Sequence, residues 1–344
     1  MKKCMFFILL IISNFSCEKA EILKPHLFPD NLPGKFIGDM ALDSEGGLWF
    51  VTSEIDTTIH LPPYSSSLPI RAYLTRFHNN SFEVFDDRFI GAQEMAFDKN
   101  DRLWFFVGKK LYCLNDNKYV VLYKLPDDIG LFRWITTDQD KNIWVGGMNA
   151  PLLMITVDPE IKIDQITSSL LPTTSSTTGY FDKYNNLWLA LWDHGIGKLD
   201  TMGRCTLYNP SNSSLPYQNF WCITSDNNNN IWAGTGRKNN TAVNLMKFDG
   251  SKWEEITPKD DKGNTIYGTV RQLYSDNNKI WIVSETCVNS AFDSNYLITF
   301  DGATWNRIYS VPSDDGIADI ELDLSSKKAW IGTWNNGYIE LDLE

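Results

Sequence analysis

The chain has 344 residues, of which 43% are hydrophobic and 22% charged, and its formal net charge is −12. This balance is typical of a globular protein with a sizeable core, and it excludes a disordered or fibrous chain. An acidic surface repels a phosphate backbone, so we expect no nucleic-acid partner.

The first 16 residues have the pattern of an export signal. Lys2 and Lys3 precede an apolar run from Cys4 to Ile12, which is too short to span a bilayer as a mature helix. The following Ser13-Asn14-Phe15-Ser16-Cys17 resembles a bacterial lipoprotein signal, in which cleavage exposes a cysteine that receives lipid. We therefore predict a signal peptide over residues 1–16 and lipidation of Cys17. The alternatives are a plain cleaved signal peptide and an uncleaved anchor.

This signal predicts a location in the bacterial cell envelope, at the outer membrane. No other segment is apolar enough to cross a membrane, so a lipid anchor is the only membrane attachment we expect.

The four cysteines outside the signal are Cys113, Cys205, Cys222 and Cys287. Their spacing is not that of a disulfide framework or a zinc site. We expect separately buried thiols, with the pairing of any two left open, and neither a metal nor a cofactor.

A unit made of an aspartate, five residues and a tryptophan recurs along the chain. The tryptophans that end its seven copies are Trp49, Trp104, Trp144, Trp188, Trp232, Trp281 and Trp330. The sixth copy is one residue shorter and the seventh one residue longer. Their mean period of about 47 residues is in the range of four-stranded blade repeats.

Each copy predicts antiparallel strands. In the first, an alternating apolar strand at 36–42 ends at the aspartate, a polar turn follows, and a second strand starts at Trp49, which is a hairpin pattern. Third strands end in acidic turns, and fourth strands begin near Trp253 and Trp305. Helical periodicity is absent. Because a lone blade cannot bury both faces, we predict an all-β, seven-bladed β-propeller over residues 17–344, with four strands per blade.

The two ends of the chain predict how the ring closes. The last copy supplies strands near 317–322, at Trp330 and at 338–342, and a fourth strand is missing. The segment 21–26 stands before the first copy, where a fourth strand would lie. We predict that it completes the last blade, since this removes two exposed edges.

The repeats resemble those of the two-component regulator propeller family, which read Asp, a Gly/Asn turn and Leu-Trp-(Ile/Val)-Gly-Thr. The matching segments are Ile143-Trp144-Val145-Gly146-Gly147, Ile231-Trp232-Ala233-Gly234-Thr235 and Trp330-Ile331-Gly332-Thr333. The resemblance covers residues 20–344. In that family such propellers often form the periplasmic sensor of hybrid histidine kinases, many of them responsive to glycans. No kinase region follows here, so the resemblance implies only a recognition role.

The repeated Trp and Asp are expected to be structural. A large ring wedged between neighbouring sheets suits a propeller, and an aspartate at this position suits an Asx turn. The alternative is a calcium loop, since Asp138, Asp140 and Asn142 occupy three of its ligand positions. Ile143 then stands where that loop requires Gly, and Asn149 where it requires Glu.

Four further tryptophans fall on connections that should open on one face around the axis. They are Trp134, Trp192, Trp221 and Trp334, accompanied at strand entries by Arg133, Arg271 and Glu94 and at a turn by His194. Tryptophans interleaved with charged groups are typical of a sugar or small-ligand surface; rim packing is the alternative. Trp253 and Trp305 are expected to be structural. Insertions at 54–70 and 285–295 should overhang the same face.

These observations predict a non-catalytic envelope lipoprotein whose propeller binds a glycan or a similar small ligand. The first alternative is a protein-interaction platform within an envelope complex. The second is a metal-dependent lyase resembling the streptogramin lyases. Motifs of the commoner chemistries are missing, and His194 is the sole candidate base.

Overall fold

The computed structural model describes residues 32–34, 36–54, 71–89, 92, 94–115, 118–167, 175–235, 245–260, 262–266, 268–276, 279–288, 291–311, 315–334 and 337–343. The predicted signal peptide, Cys17 and the closing strand at 21–26 lie outside these ranges. Within them the secondary structure consists of 27 β-strands. They contain no helix that is long and apolar enough to cross a membrane.

The strands form seven sheets, and neighbouring strands pair antiparallel in chain order. Blade 1 contains β1 (Phe36–Leu42), β2 (Leu48–Glu54), β3 (Arg71–His78) and β4 (Ser81–Phe89). Blade 2 contains β5 (Met95–Phe97), β6 (Leu103–Val107), β7 (Lys110–Asn115) and β8 (Lys118–Lys124). Blade 3 contains β9 (Leu131–Thr137), β10 (Ile143–Met148), β11 (Leu152–Thr156) and β12 (Lys162–Ile166).

Blade 4 contains β13 (Ser176–Phe181), β14 (Leu187–Leu191), β15 (Gly195–Leu199) and β16 (Cys205–Tyr208). Blade 5 contains β17 (Phe220–Ser225), β18 (Ile231–Thr235), β19 (Leu245–Phe248) and β20 (Trp253–Ile256). Blade 6 contains β21 (Thr269–Ser275), β22 (Ile280–Val288), β23 (Ala291–Phe300) and β24 (Trp305–Val311). Blade 7 contains β25 (Ile317–Asp323), β26 (Lys328–Thr333) and β27 (Tyr338–Asp342). The predicted seven-bladed propeller is confirmed.

The core is divided among the blade interfaces. Seven clusters of buried apolar side chains lie between successive blades, and each contains one repeat tryptophan. The cluster around Trp330 joins Tyr338 of the last blade to Ile37 and Met40 of the first. The ring is therefore closed by packing between its first and last blades. The prediction that the repeat tryptophans are wedges between sheets is confirmed.

The repeat aspartate holds both the turn and the tryptophan. Asp182 Oδ1 accepts hydrogen bonds from the backbone N–H groups of Tyr184 and Asn186 at 2.9 Å, and its Oδ2 accepts one from Trp188 Nε1 at 2.9 Å. The same indole-to-carboxylate bond recurs in blades 1 to 6 at 2.6–3.1 Å. In blade 7 the turn is one residue longer, and Glu340 accepts from Trp330 Nε1 instead, at 3.3 Å. The predicted Asx turns are confirmed.

The outer tryptophans are structural, as predicted, and two of the three described cysteines are buried as expected, whereas Cys205 is not. Trp253 and Trp305 begin β20 and β24, where their rings stack on Phe248 and Phe300 at centroid distances of 4.9 and 4.1 Å. The free thiols are those of Cys113 and Cys222, which are buried, and of Cys205, which is half-buried. The side chain of Cys287 lies outside the described residues.

A candidate binding cavity on the propeller axis

A cavity of about 450 Å³ lies on the axis of the ring and is lined by residues from all seven blades. It occupies the end of the ring at which the inner strands begin, because most of its lining residues stand near the first residues of β1, β5, β9, β13, β17, β21 and β25. The connections between second and third strands reach the same end. The predicted shared face is therefore where the cavity opens.

The inner strands share a β-bulge at the cavity. In each bulge one residue is left without a partner on the neighbouring strand, and that residue lines the cavity. These residues are Gly38, Arg133, Thr177, Trp221, Arg271 and Ala318. A bulge turns a side chain out of the regular alternation, so six blades each aim one residue at the axis.

The bulge residues have a sequence signal that the spacing of the repeat tryptophans does not reveal by itself. Each lies eleven residues before its repeat tryptophan in blades 1, 3, 4 and 5, ten before it in blade 6 and twelve before it in blade 7. The two exceptions match the shorter and longer Asp turns. The same count in blade 2 gives Gln93, which lies outside the described residues.

Trp221 contributes an aromatic ring to the cavity lining, among several polar residues. Its half-buried ring meets the ring of Trp192 edge to face at 5.2 Å, and the guanidinium carbon of Arg271 lies 5.0 Å from its centroid. Trp192 is not among the residues that line the cavity. It packs against the ring of Trp221. The Trp221 indole N–H is buried without a hydrogen-bond partner among the described residues, as is the side-chain oxygen of Gln272.

Trp334 forms an apolar wall on the opposite side. Its ring stacks on Phe36 at a centroid distance of 6.3 Å and an interplanar angle of 13°, and both residues line the cavity. Its backbone N–H donates to Gly316 at 3.0 Å. A Cβ at Gly316 would lie 2.5 Å from the Trp334 ring. Gly316 therefore gives the ring the space that this position requires.

The prediction that Trp134 opens on the cavity face is wrong. Only 1% of Trp134 is exposed, and its indole N–H donates to Ser176 Oγ at 2.8 Å. The ring lies against Gly146 of its own blade and Gly179 of the next. Because the bulge falls at Arg133, Trp134 returns to the regular ladder opposite Gly146 and points between blades 3 and 4.

The other predicted residues of the face fall at different places. Arg133 is exposed and Glu94 is half-buried, and both line the cavity. His194 is exposed in the turn after β14 and is not among the lining residues. The predicted insertion at 285–295 takes the form of an extended hairpin, in which β22 and β23 remain paired as far as Val288 and Ala291. The insertion at 54–70 lies outside the described residues except for Glu54.

Glu94 combines a cavity position with a raised pKa. Its Oε2 accepts a hydrogen bond from the backbone N–H of Ile135 at 3.0 Å. Burial, together with the negative charge of Asp319, raises the pKa of Glu94 to about 8, against the opposing effects of the Ile135 N–H and of Arg133. Glu94 is therefore mainly protonated at neutral pH and can donate a hydrogen bond into the cavity.

Two further acids follow the bulges of blades 1 and 7. Asp319 accepts hydrogen bonds from the Met40 backbone N–H at 3.0 Å and from the Tyr274 hydroxyl at 2.8 Å. Burial and the neighbouring charges of Asp319, Glu94 and Glu321 raise the pKa of Asp39 well above its usual range. Two such close carboxyls do not both ionise readily. No group of three or more His, Cys, Asp or Glu in the described part of the chain is arranged to hold a metal ion.

Residues 214–237, which include β17 and most of β18, match the family described as Two component regulator propeller. No curated protein has a significantly similar sequence. The similar solved structures include virginiamycin B lyase from Staphylococcus aureus, in a catalytically inactive form with Quinupristin. It is 15% identical, with a TM-score of 0.64, over 91% of this chain and 98% of that one.

Two other similar structures are parts of larger chains. One is the extracellular domain of BT3049 from B. thetaiotaomicron, assigned to the hybrid two component systems, at 16% identity and a TM-score of 0.60, over 90% of this chain and 40% of that one. The other is PorZ, a bacterial surface component of the type-IX secretion system of Porphyromonas gingivalis, at 13% identity and a TM-score of 0.61, over 90% and 46%. At these identities the similarity shows the fold.

Proposed function

Because the chain carries the two-component regulator propeller repeat, we propose that it is a non-catalytic binding module that holds a glycan or a similar small polar ligand in the axial cavity. The observation that carries this proposal is the lining of the cavity. Trp334 and Phe36 offer apolar ring faces, while Arg133, Thr177 and Glu94 offer polar groups. A volume of about 450 Å³ is in the usual range for small-ligand sites, about 300 to 1,000 Å³.

A sugar can contact both the aromatic and the polar residues of this lining. One face of a pyranose is apolar and stacks on an aromatic ring, while its hydroxyls take hydrogen bonds from polar neighbours. The non-catalytic part of the proposal is supported by the position of His194, the base that the sequence suggests, which is exposed outside the lining. Fold similarity to the lyase does not carry its activity to this chain.

The test is a glycan array followed by calorimetry. We expect Trp334→Ala to weaken binding of any glycan that the array identifies, because the ring lines the cavity. Trp305→Ala removes a half-buried tryptophan at the outer edge of blade 6 and should leave the affinity unchanged. If no glycan binds, or if both variants bind as the wild type does, the proposed ligand class is wrong.

We also propose that the protein is anchored by lipid at Cys17 in the bacterial cell envelope, at the outer membrane. The signal pattern before Cys17 supports this, and buried acyl chains contribute about 0.8 kcal/mol for each methylene. Acyl labelling of the wild type that disappears in Cys17→Ser is the expected result. An unlabelled wild type found only in the soluble periplasmic fraction would contradict it.

A protein-interaction platform is the second candidate function. It is favoured by the similarity of the fold to PorZ, a component of a secretion system at the bacterial surface. The fold is also similar to that of YCF48, which was solved bound to a D1 peptide. Affinity capture from envelope extracts distinguishes the two functions. A partner whose binding is unaffected by Trp334→Ala supports the platform and not the cavity.

A further inference from the structure

The ring of bulge residues is asymmetric. Blades 3 to 6 carry Arg133, Thr177, Trp221 and Arg271 in succession, whereas blades 7 and 1 carry Ala318 and Gly38. The small residues leave space on their side of the axis. That space is bounded by the stacked pair of Phe36 and Trp334. The cavity therefore has two unlike sides. One carries the bulge residues of blades 3 to 6 and is called the cationic arc below; the other is formed by the stacked rings of Phe36 and Trp334.

The cationic arc stands out against the charge of the chain, which has 43 acidic residues and 31 basic ones. Arginine is the side chain whose planar fork matches a carboxylate. Arg133 is exposed at the cavity, and Arg271 is placed there by its contact with the Trp221 ring. The exposed guanidinium of Arg133 at the cavity favours a ligand that bears negative charge.

The acid nearest to Arg133 does not cancel this charge. Burial raises the pKa of Glu94 to about 8, so that the carboxyl is mainly neutral below that pH. Asp39 and Asp319 follow the bulge residues Gly38 and Ala318 in blades 1 and 7, and the charge of Asp319 contributes to the raised pKa of Glu94. Neither aspartate is among the residues that line the cavity.

Building on the binding function proposed above, we propose that the ligand of this cavity is an acidic saccharide, a glycan fragment containing a uronic acid. Its carboxylate lies at Arg133, and the apolar face of a sugar ring lies on Trp334. The hydroxyl of Thr177, between the two arginines in the ring order, donates to the Phe220 carbonyl oxygen at 2.8 Å, so it can accept a hydrogen bond from a sugar hydroxyl beside the carboxylate.

The test compares matched saccharides by calorimetry: a digalacturonide and the neutral galactose disaccharide of the same linkage. We expect the uronide to bind more tightly by about tenfold or more, with an affinity that falls as salt concentration rises. Arg133→Gln should remove this preference. Arg204→Gln is the matched control, because Arg204 is exposed on an outer hairpin and paired with Asp200.

Thermal melting of each variant separates loss of binding from loss of folding. Equal affinity for the two saccharides, or a uronide preference that survives in Arg133→Gln, would overturn the acidic ligand and leave the binding function intact. Absence of binding to either saccharide and to the glycan array would overturn both proposals. Binding of a peptide through its terminal carboxylate, without saccharide binding, would reject the saccharide and favour the platform.

Discussion

At the scale of single residues, the repeat aspartate explains why its spacing to the tryptophan is so regular. One carboxylate oxygen binds the backbone of the turn and the other binds the indole N–H, so an added residue in the turn breaks the second bond. This is the case in blade 7, where Glu340 takes over as the acceptor. The sequence predicts the Asx turn, but periodicity carries no information about the bond to the indole.

Asp182→Ala should therefore cost on the order of 3 kcal/mol of unfolding free energy, because it leaves buried donors without an acceptor. Urea denaturation measures this loss. Asp200→Ala is the matched control, since Asp200 forms the same kind of turn on an outer hairpin with Arg204 as its partner. Equal losses in the two variants would contradict a special role for the bond to Trp188.

The acids near the cavity predict how stability depends on pH. Glu94 and Glu321 both have a pKa raised to about 8, chiefly by burial, from an ordinary value of 4.5. Between these values the folded protein keeps protons that the unfolded chain has lost, so the free energy of unfolding falls as pH rises from about 4.5 to 8.

Glu94→Gln should reduce this pH dependence, because the amide cannot ionise. One pKa unit is worth about 1.4 kcal/mol, and the partial exposure of Glu94 lowers its share. We therefore expect a difference of roughly 1 to 2 kcal/mol in the loss between pH 5 and pH 8. Urea midpoints at both pH values measure it. The exposed Glu254→Gln on β20 should behave as the wild type, and an unaltered slope in Glu94→Gln would refute the assignment.

At the scale of the strands, the hairpins follow from alternation and turn residues, whereas the bulges do not. A bulge adds one residue to the inner strand and reverses the side-chain alternation beyond it. The position of Trp134 at the entry of an inner strand predicts the open face, but the bulge places its neighbour Arg133 at the cavity instead. Counting back from the repeat tryptophan recovers the bulge position, because the hairpin between them varies in length only where the Asp turn is one residue shorter or longer.

The packing of Trp134 predicts which glycines tolerate a methyl group. A Cβ at Gly179 would lie 2.5 Å from the Trp134 ring, whereas one at Gly38, a bulge position, would meet its nearest atom at 3.6 Å. Gly179→Ala should cost about 1 to 3 kcal/mol through overpacking, and Gly38→Ala should cost less than about 1 kcal/mol. Thermal melting of the two variants gives the comparison. Equal melting temperatures would show that Trp134 can be accommodated elsewhere.

At the scale of the whole molecule, closure depends on the joint between blades 1 and 7. The bond from Met40 to Asp319 and the shared cluster of Ile37, Met40 and Tyr338 hold the inner strands together. Among the described strands the last sheet has three, and β27 is at its edge. An unpaired edge offers a row of backbone groups to other chains. The predicted strand at 21–26 would cover that edge and join both ends of the chain in one sheet.

Deleting residues 21–26 should consequently expose β27 and loosen the joint. We expect a lower melting temperature, by roughly 3 °C or more, and faster hydrogen exchange at the backbone amides of β27. A deletion of six residues within the insertion at 54–70 is the control for shortening the chain, and it should leave exchange in β27 unaltered. Unchanged melting and exchange in the 21–26 deletion would mean that the ring is closed by its inner strands alone.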